Sequence, residues 1–282
     1  MYLRPSLFVA LMVVVMPLGS AVAQSDAQAT CTLVARSDTG EILVEEGNCD
    51  TRATPASTFK LPLAVIGFDT RALTSPEAPA VDFDPDKHVA WIDNWKATTT
   101  PRTWLRDSVV WYSWEVTRPL GLDGIETYLE RFNYGNQDMS GTAGEDNGIT
   151  HAWLSSSLAI SPREQIAFLS KLMMRSLPVK VASQELAIET TASYEFGDDR
   201  IAKGKTGNGF ARGADGAVIR DRQVGWFIGW TNDWPKGENV PEDTPLVFAR
   251  LILDEGPTEG YASFRARDSL LADLPRYLDT TN

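Results

Sequence analysis

Pro55-Ala56-Ser57-Thr58-Phe59-Lys60-Leu61-Pro62-Leu63-Ala64-Val65-Ile66-Gly67 decides how the rest of this chain is read. The run predicts a helix entered at about Ser57. Pro62 lies close enough to the helix start to be tolerated. Positions i and i+3 of a helix share a face, so the Ser57 and Lys60 side chains meet. A serine hydroxyl is a poor nucleophile until a base takes its proton. A lysine kept neutral by desolvation is such a base. The helix start also offers unpaired backbone N–H groups, that of Ser57 among them, to a developing oxyanion. Ser-x-x-Lys alone fits a plainer reading equally well, an N-cap serine and a surface lysine.

Upstream of this helix, Thr32–Ala35 reads as a strand, Asp38-Thr39-Gly40 as a turn, and Glu41–Val44 as the returning strand. The two cysteines, Cys31 and Cys49, flank that hairpin and come roughly opposite one another. In an oxidising compartment they are expected to pair.

Downstream, residues 74–100 are rich in Pro, Asp and Thr and read as a long irregular excursion. Helices are predicted at Trp104–Val116, Gly121–Phe132, Ser161–Ser176 and Val179–Thr190. Residues 134–150 form a glycine-rich loop. Strands are expected at Ile201–Thr206, Ala217–Trp230 and Leu246–Leu253, with Gly207–Gly216 as a connection. A closing helix follows at Phe264–Leu278. This order predicts an α+β fold. An antiparallel sheet is assembled from both chain ends and flanked by helices, with a mostly helical region inserted at about residues 70–195.

The chain has 282 residues, with 26 Lys+Arg against 38 Asp+Glu, a net charge of −12 and a pI near 4.7. That balance argues against a nucleic-acid partner, which needs a basic footprint, and against a polybasic membrane binder. Two His and two Cys leave little from which to build a metal site of soft ligands. Arg4, the apolar run Leu7–Leu18 and Ala21-Val22-Ala23 have the pattern of a secretory signal peptide over residues 1–23. Residues 24–282 then form a single catalytic domain without a stable membrane anchor, and its charge is −12 − 1 = −13 once Arg4 is removed.

Three further elements carry chemistry. Lys205-Thr206-Gly207 ends a predicted strand. It presents a positive charge and a hydroxyl, and its glycine leaves room for a ligand against the backbone. Ser108, in the helix-like run Ser108-Val109-Val110, is a second hydroxyl able to pass a proton on. Tyr134-Gly135-Asn136 opens the glycine loop, and His151-Ala152-Trp153 closes it. Taken singly, Lys205 also reads as a solvated turn lysine, Ser108 as a helix serine bonded to its own backbone, and Trp153 as core.

In this order, Ser57-x-x-Lys60, Ser108-x-Val110, Tyr134-Gly135-Asn136 and Lys205-Thr206-Gly207 resemble the serine-reactive penicillin-recognising enzymes. The Ser-x-Val and Tyr-Gly-Asn versions are closest to the class D, oxacillinase-type beta-lactamases. The resemblance implies that Ser57 is acylated and that Lys60 is carboxylated on its side-chain nitrogen by CO₂ or bicarbonate, with no other cofactor and no metal. The carbamate then serves as base in acylation and deacylation. Phe59, Val110 and Trp153 would shield it, Trp153 by a hydrogen bond. Ser108 would assist proton transfer to the lactam nitrogen. Lys205, Thr206 and Gly207 would hold the substrate carboxylate together with Arg267. Arg267 is followed three residues on by Leu270, whereas Arg265 is followed by Asp268. The oxyanion donors would be the backbone N–H groups of Ser57 and of Phe227 or a close neighbour on the facing strand. The implied partner is a small beta-lactam, and the implied location is the periplasm of a Gram-negative bacterium. Two relatives of the same chemistry compete with this reading: a penicillin-binding peptidase and a non-catalytic beta-lactam sensor.

Overall fold

The computed structural model describes residues 31–236 and 240–279. The expected signal peptide lies outside the described residues. Six strands form one antiparallel sheet: β1 (Cys31–Arg36), β2 (Ile42–Gly47), β3 (Ser193–Phe196), β4 (Arg200–Arg212), β5 (Val218–Thr231) and β6 (Leu246–Leu253). Their order is β2-β1-β6-β5-β4-β3, so strands from the two chain ends meet where β1 pairs with β6. Among the described residues, seven α-helices accompany them: α1 (Lys60–Thr70), α2 (Pro101–Asp107), α3 (Val110–Phe132), α4 (Gly148–His151), α5 (Pro162–Met173), α6 (Val181–Thr190) and α7 (Ala262–Asp279). None of these described helices is long and apolar enough to cross a membrane.

Side chains alternate across the strands, so each face of the sheet has its own core. Leu33, Ala35, Trp226, Ile228, Val247 and Ala249 pack beneath the helical region. Val34, Ala202, Phe227 and Phe248 pack against Ala262, Ala266, Leu270 and Leu274 of α7. Every residue of α1 from Lys60 to Phe68 is buried, which is why its sequence is apolar on all sides rather than on one stripe.

Four elements depart from the sequence expectation, the shortest being α4, which begins at Gly148 within the stretch read as a glycine-rich loop. The helix predicted over 104–116 is broken at Ser108, which takes a left-handed conformation (φ 58°) between α2 and α3. Thr100, in a capping box with Thr103 and followed by Pro101, starts α2 three residues early. Strand β4 runs on through Gly207 to Arg212. The residues read as a connection from Gly207 are thus mostly strand, paired with β5. The short strand β3 has no counterpart in the sequence expectation; four residues give too little period-2 signal to see. The expected break before Gly121 is present as a kink (φ 69°) within α3.

Cys31 begins β1 and Cys49 follows β2, and a disulfide joins them across 18 residues. Closing a loop of that length removes unfolded-state entropy worth about 3 kcal/mol. Replacing both cysteines with serine is expected to lower unfolding stability by about that amount while leaving the active-site geometry intact, as measured by denaturant titration of both proteins under oxidising conditions.

Candidate active site

A 3-10 turn, Ala56–Phe59, leads directly into α1. The Thr58 hydroxyl and backbone N–H both donate to the Pro55 carbonyl, at 2.7 and 3.1 Å. Gln165 of α5 donates to the same hydroxyl at 3.0 Å. These bonds fix the turn and leave Ser57 half-buried at its open side. Lys60 Nζ lies 3.1 Å from Ser57 Oγ, and the lysine has no exposed surface. Burial holds its pKa well below the usual lysine range, and the positive charge of Lys205 adds to the effect. Lys60 Nζ donates to Ser57 Oγ, and a neutral amine there also has a lone pair able to take the Ser57 proton.

Lys205 projects from β4 to the same place. Its ammonium donates to Ser108 Oγ and, at 3.0 Å, to the Thr206 carbonyl. Burial pushes its pKa down to about 7, against the pull of Asp107. Ser108 reaches it because the left-handed backbone at that position turns the hydroxyl out of the helical path. Such a conformation costs a non-glycine residue roughly 1–3 kcal/mol. The indole N–H of Trp95 donates to the Asp107 carbonyl at 3.0 Å and holds the turn from the other side. Val110, also buried, begins α3 immediately afterwards.

Phe59, Trp153 and Tyr134 have no exposed surface. The Phe59 ring lies 5.2 Å from Trp153 and 5.8 Å from Tyr134. The Trp153 indole N–H is buried without an acceptor. In the Tyr134-Gly135-Asn136 motif, Gly135 has φ 57°, and a Cβ there would lie 2.3 Å from the Ala159 carbonyl oxygen. Asn136 donates to the Ser157 carbonyl and accepts from the Ala159 N–H, both at 2.9 Å. Its side chain fastens the start of the glycine loop to the stretch of chain that returns from it.

Strand β3 covers β4 only from Arg200 to Lys203. Beyond that the outer edge of β4 faces the Ser57 turn, and a Cβ at Gly207 would lie 2.7 Å from the Pro55 carbonyl oxygen. The backbone N–H groups directed to this edge follow from two bonds: Gly204 N–H donates to Ala192 O at 3.0 Å, and Phe210 N–H donates to Ser155 Oγ at 2.8 Å. Alternation then directs the N–H groups of Thr206 and Asn208 to the same edge, between those two closed positions.

This geometry corrects the expectation for Phe227. Phe227, on β5, stands opposite Thr206 of β4 and opposite Arg250 of β6. Because the Thr206 N–H points away from β5, the Thr206–Phe227 pair is the non-hydrogen-bonded kind, and the Phe227 N–H faces β6. Its ring packs between Tyr194 and Phe248 in the α7 core. Asn208 lies between Gly207 and Gly209, where added Cβ atoms would meet Pro55, Thr58 and Ala56, so its N–H is the one on this edge flanked on both sides by the Ser57 turn. The sequence reading misses this residue because it ends the strand at Thr206.

Both candidate arginines lie on α7, on opposite flanks. Arg267 faces the β3 side, its guanidinium 5.7 Å above the Tyr194 ring and 4.9 Å above Phe264. It is paired with the exposed Asp268 at 2.7 Å. Arg265 is bonded to the buried Asp254, just beyond β6, at 2.6 Å. Of the two, Arg267 is the one that lies toward the β4 edge.

A family model described as the penicillin binding protein transpeptidase domain matches residues 30–240. Beta-lactamase OXA-9 of Klebsiella pneumoniae is 38% identical over 260 residues, 92% of each chain. The crystal structure of the OXA-427 class D beta-lactamase superposes with a TM-score of 0.79 at 38% identity, covering 88% of this chain and 98% of that one. The C-terminal domain of the Bacillus licheniformis BlaR penicillin-receptor shares the fold, with a TM-score of 0.71 at 23% identity over 88% of this chain and 89% of its own. The chain belongs to the class D serine beta-lactamases, hydrolases of beta-lactam rings.

Proposed function

We propose that this enzyme opens the beta-lactam amide of penicillin-type antibiotics through an acyl-enzyme on Ser57, with the base held at Lys60. The observation that carries the reading is the fully buried Lys60 amine 3.1 Å from the Ser57 hydroxyl, with a second buried lysine, Lys205, bonded to Ser108 beside it.

Ser57 Oγ attacks the lactam carbonyl carbon, and its proton passes to the base at position 60. The C–N bond breaks as Ser108 gives its proton to the lactam nitrogen; the proton taken up at position 60 restores Ser108, so the base is free again and Lys205, bonded to Ser108, stays an ammonium. The Ser57 N–H and the Asn208 N–H on the open edge of β4 stabilise the oxyanion. Lys205, Thr206 and Arg267 hold the substrate carboxylate, with Gly207 keeping the strand open to it. A water then attacks the ester carbonyl, giving a proton to the base at position 60, which passes it to the departing Ser57 oxygen; the ring-opened acid and the Ser57 hydroxyl are released.

A neutral Lys60 amine in a pocket sealed by Phe59, Val110 and Trp153 suits carboxylation by CO₂, and the unpartnered Trp153 N–H is a donor of the kind a carbamate oxygen takes. When formed, that carbamate supplies the general base. A disulfide between Cys31 and Cys49 and the signal-like N-terminus support action outside the cytoplasm, in the periplasm.

The purified protein is expected to turn over a penicillin steadily, faster with added bicarbonate. Lys60→Ala is expected to lower kcat by a hundredfold or more, roughly the reach of general base catalysis. One equivalent of acylation with no release would instead mark a penicillin-binding peptidase or a sensor.

The pH profile follows from Lys205. Its ammonium is the form that attracts a carboxylate, and it loses its proton in the free enzyme at about 7. The value of kcat/KM for a penicillin, which reports free-enzyme ionisations, is therefore expected to fall as pH rises through that point. An arginine stays charged throughout, so in Lys205→Arg the falling limb disappears, whatever the absolute rate. A limb retained in that variant would assign it to another group.

A further inference from the structure

Asn208 does more than present a backbone N–H. Its side chain lies on the opposite face from Lys205, toward α7. The Asn208 Oδ1 accepts the Ser263 N–H at 3.1 Å, and Nδ2 donates to Gln223 Oε1 at 3.2 Å. The same Gln223 oxygen accepts the Ala262 N–H at 3.2 Å, and Gln223 Nε2 donates to Gly260 O at 2.8 Å. Ala262 and Ser263 are the first two residues of α7, and their N–H groups have no acceptor within the helix. Side chains from two neighbouring strands supply what an N-cap residue ordinarily would.

The contact is close because Gly225, opposite Asn208 on β5, has no side chain. A Cβ there would lie 2.2 Å from the Ala262 carbonyl carbon. Helix α7 therefore starts directly against the sheet. Arg267 follows Ser263 by four residues, one turn further on and on the same side of the helix. One residue thus sits at both ends of the substrate site: its backbone N–H faces the Ser57 turn, and its side chain holds the turn of helix below Arg267.

We propose that Asn208 and Gln223 are a positioning pair that sets the separation between the oxyanion donors and the carboxylate-binding guanidinium of Arg267. The inference rests on the reading of Arg267 given above. A small displacement of a binding group costs disproportionately when two ends of a rigid substrate must be met together. The pair acts through the placement of α7 and touches no reacting atom.

A double-mutant cycle tests this, with benzylpenicillin as substrate and KM and kcat measured separately. Gln223→Ala leaves the oxyanion strand β4 unaltered and is expected to raise KM about tenfold, within the usual range of coupling between neighbouring residues, with little change in kcat. In an Arg267→Ala background the same change is expected to add less than about twofold. Hydrogen exchange of the Ala262 and Ser263 amides is expected to quicken in Gln223→Ala, and Asn208→Ala, which keeps its backbone N–H, serves as the second variant for amide exchange if that protein folds poorly. An equal rise of KM in both backgrounds, or unchanged amide exchange, overturns the positioning role while leaving Arg267 as the carboxylate ligand. A wild-type KM in Arg267→Ala alone overturns the assignment of Arg267, and the proposal with it.

Discussion

Two lysines buried in one apolar site are the constraint on which the rest depends. Removing an ammonium from water is costly, and two like charges in one pocket compound the cost. The structure meets this by letting one of them stay neutral. Lys60 lies deeper in the helical core, lacks any acidic partner, and feels the charge of Lys205. Lys205 keeps a nearby carboxylate, Asp107, and a carbonyl to donate to, so it stays near the point of half-ionisation. The two amines are thus poised for different work: Lys60 as a base toward Ser57, Lys205 as a cation that a substrate anion can reinforce. A carboxylate entering beside Lys205 raises its proton affinity and keeps it charged, while burial alone suffices to hold Lys60 toward neutrality.

The topology serves that pair. Ser57 and Lys60 come from the start of a central helix, Ser108 from a break between two others, and Lys205 from a strand far along the chain. They converge because β4 is left uncovered past Lys203 and the Ser57 turn takes up that edge. Gly207 is the residue that permits the approach. Its neighbours in the strand then divide by face: Lys205 turns inward to the serines, while Thr206 and Asn208 turn toward α7. A period-2 strand thereby delivers catalytic and binding groups to two sides of one substrate.

Much of this is legible in the amino-acid sequence. The apolar run after Ser57 announces a buried helix, and the alternation of elements announces a sheet built from both ends. What stays hidden has physical reasons. Ser108 sits in a sequence with helical periodicity on both sides, and nothing local betrays a left-handed residue there. The end of β4 is hard to place because Gly207, Asn208 and Gly209 have the composition of a turn, and only pairing with β5 makes them strand. The consequence reaches Phe227. A strand ended at Thr206 sends the search for the second oxyanion donor to the facing strand, whereas hydrogen-bond parity assigns it to Asn208 on β4 itself. The choice between Arg265 and Arg267 needs the helix in place, since their difference is one of flank rather than of composition.

The tryptophans are the least readable feature of the composition and become clear only as donors. Of nine in the chain, six give their indole N–H to an oxygen elsewhere: Trp95 to Asp107, Trp104 to Ser113, Trp111 to Trp95, Trp114 to Thr150, Trp226 to Thr54 and Trp234 to Thr244. Several of these bonds tie down irregular chain around the site that regular secondary structure does not hold. Each joins a large apolar surface to one directional bond, which is what an excursion of poor periodicity needs. Of the other three, Trp153 is the one whose buried N–H has no acceptor. It is as buried as any of them and packs on Phe59 beside Lys60. An orphaned buried N–H costs about 1–3 kcal/mol, while the other indoles show how readily this fold satisfies one. A donor left open there, its indole packed on the ring of the residue that precedes Lys60, is stabilised only when an acceptor oxygen arrives, and on the proposed reading the oxygen is the one that CO₂ adds to Lys60.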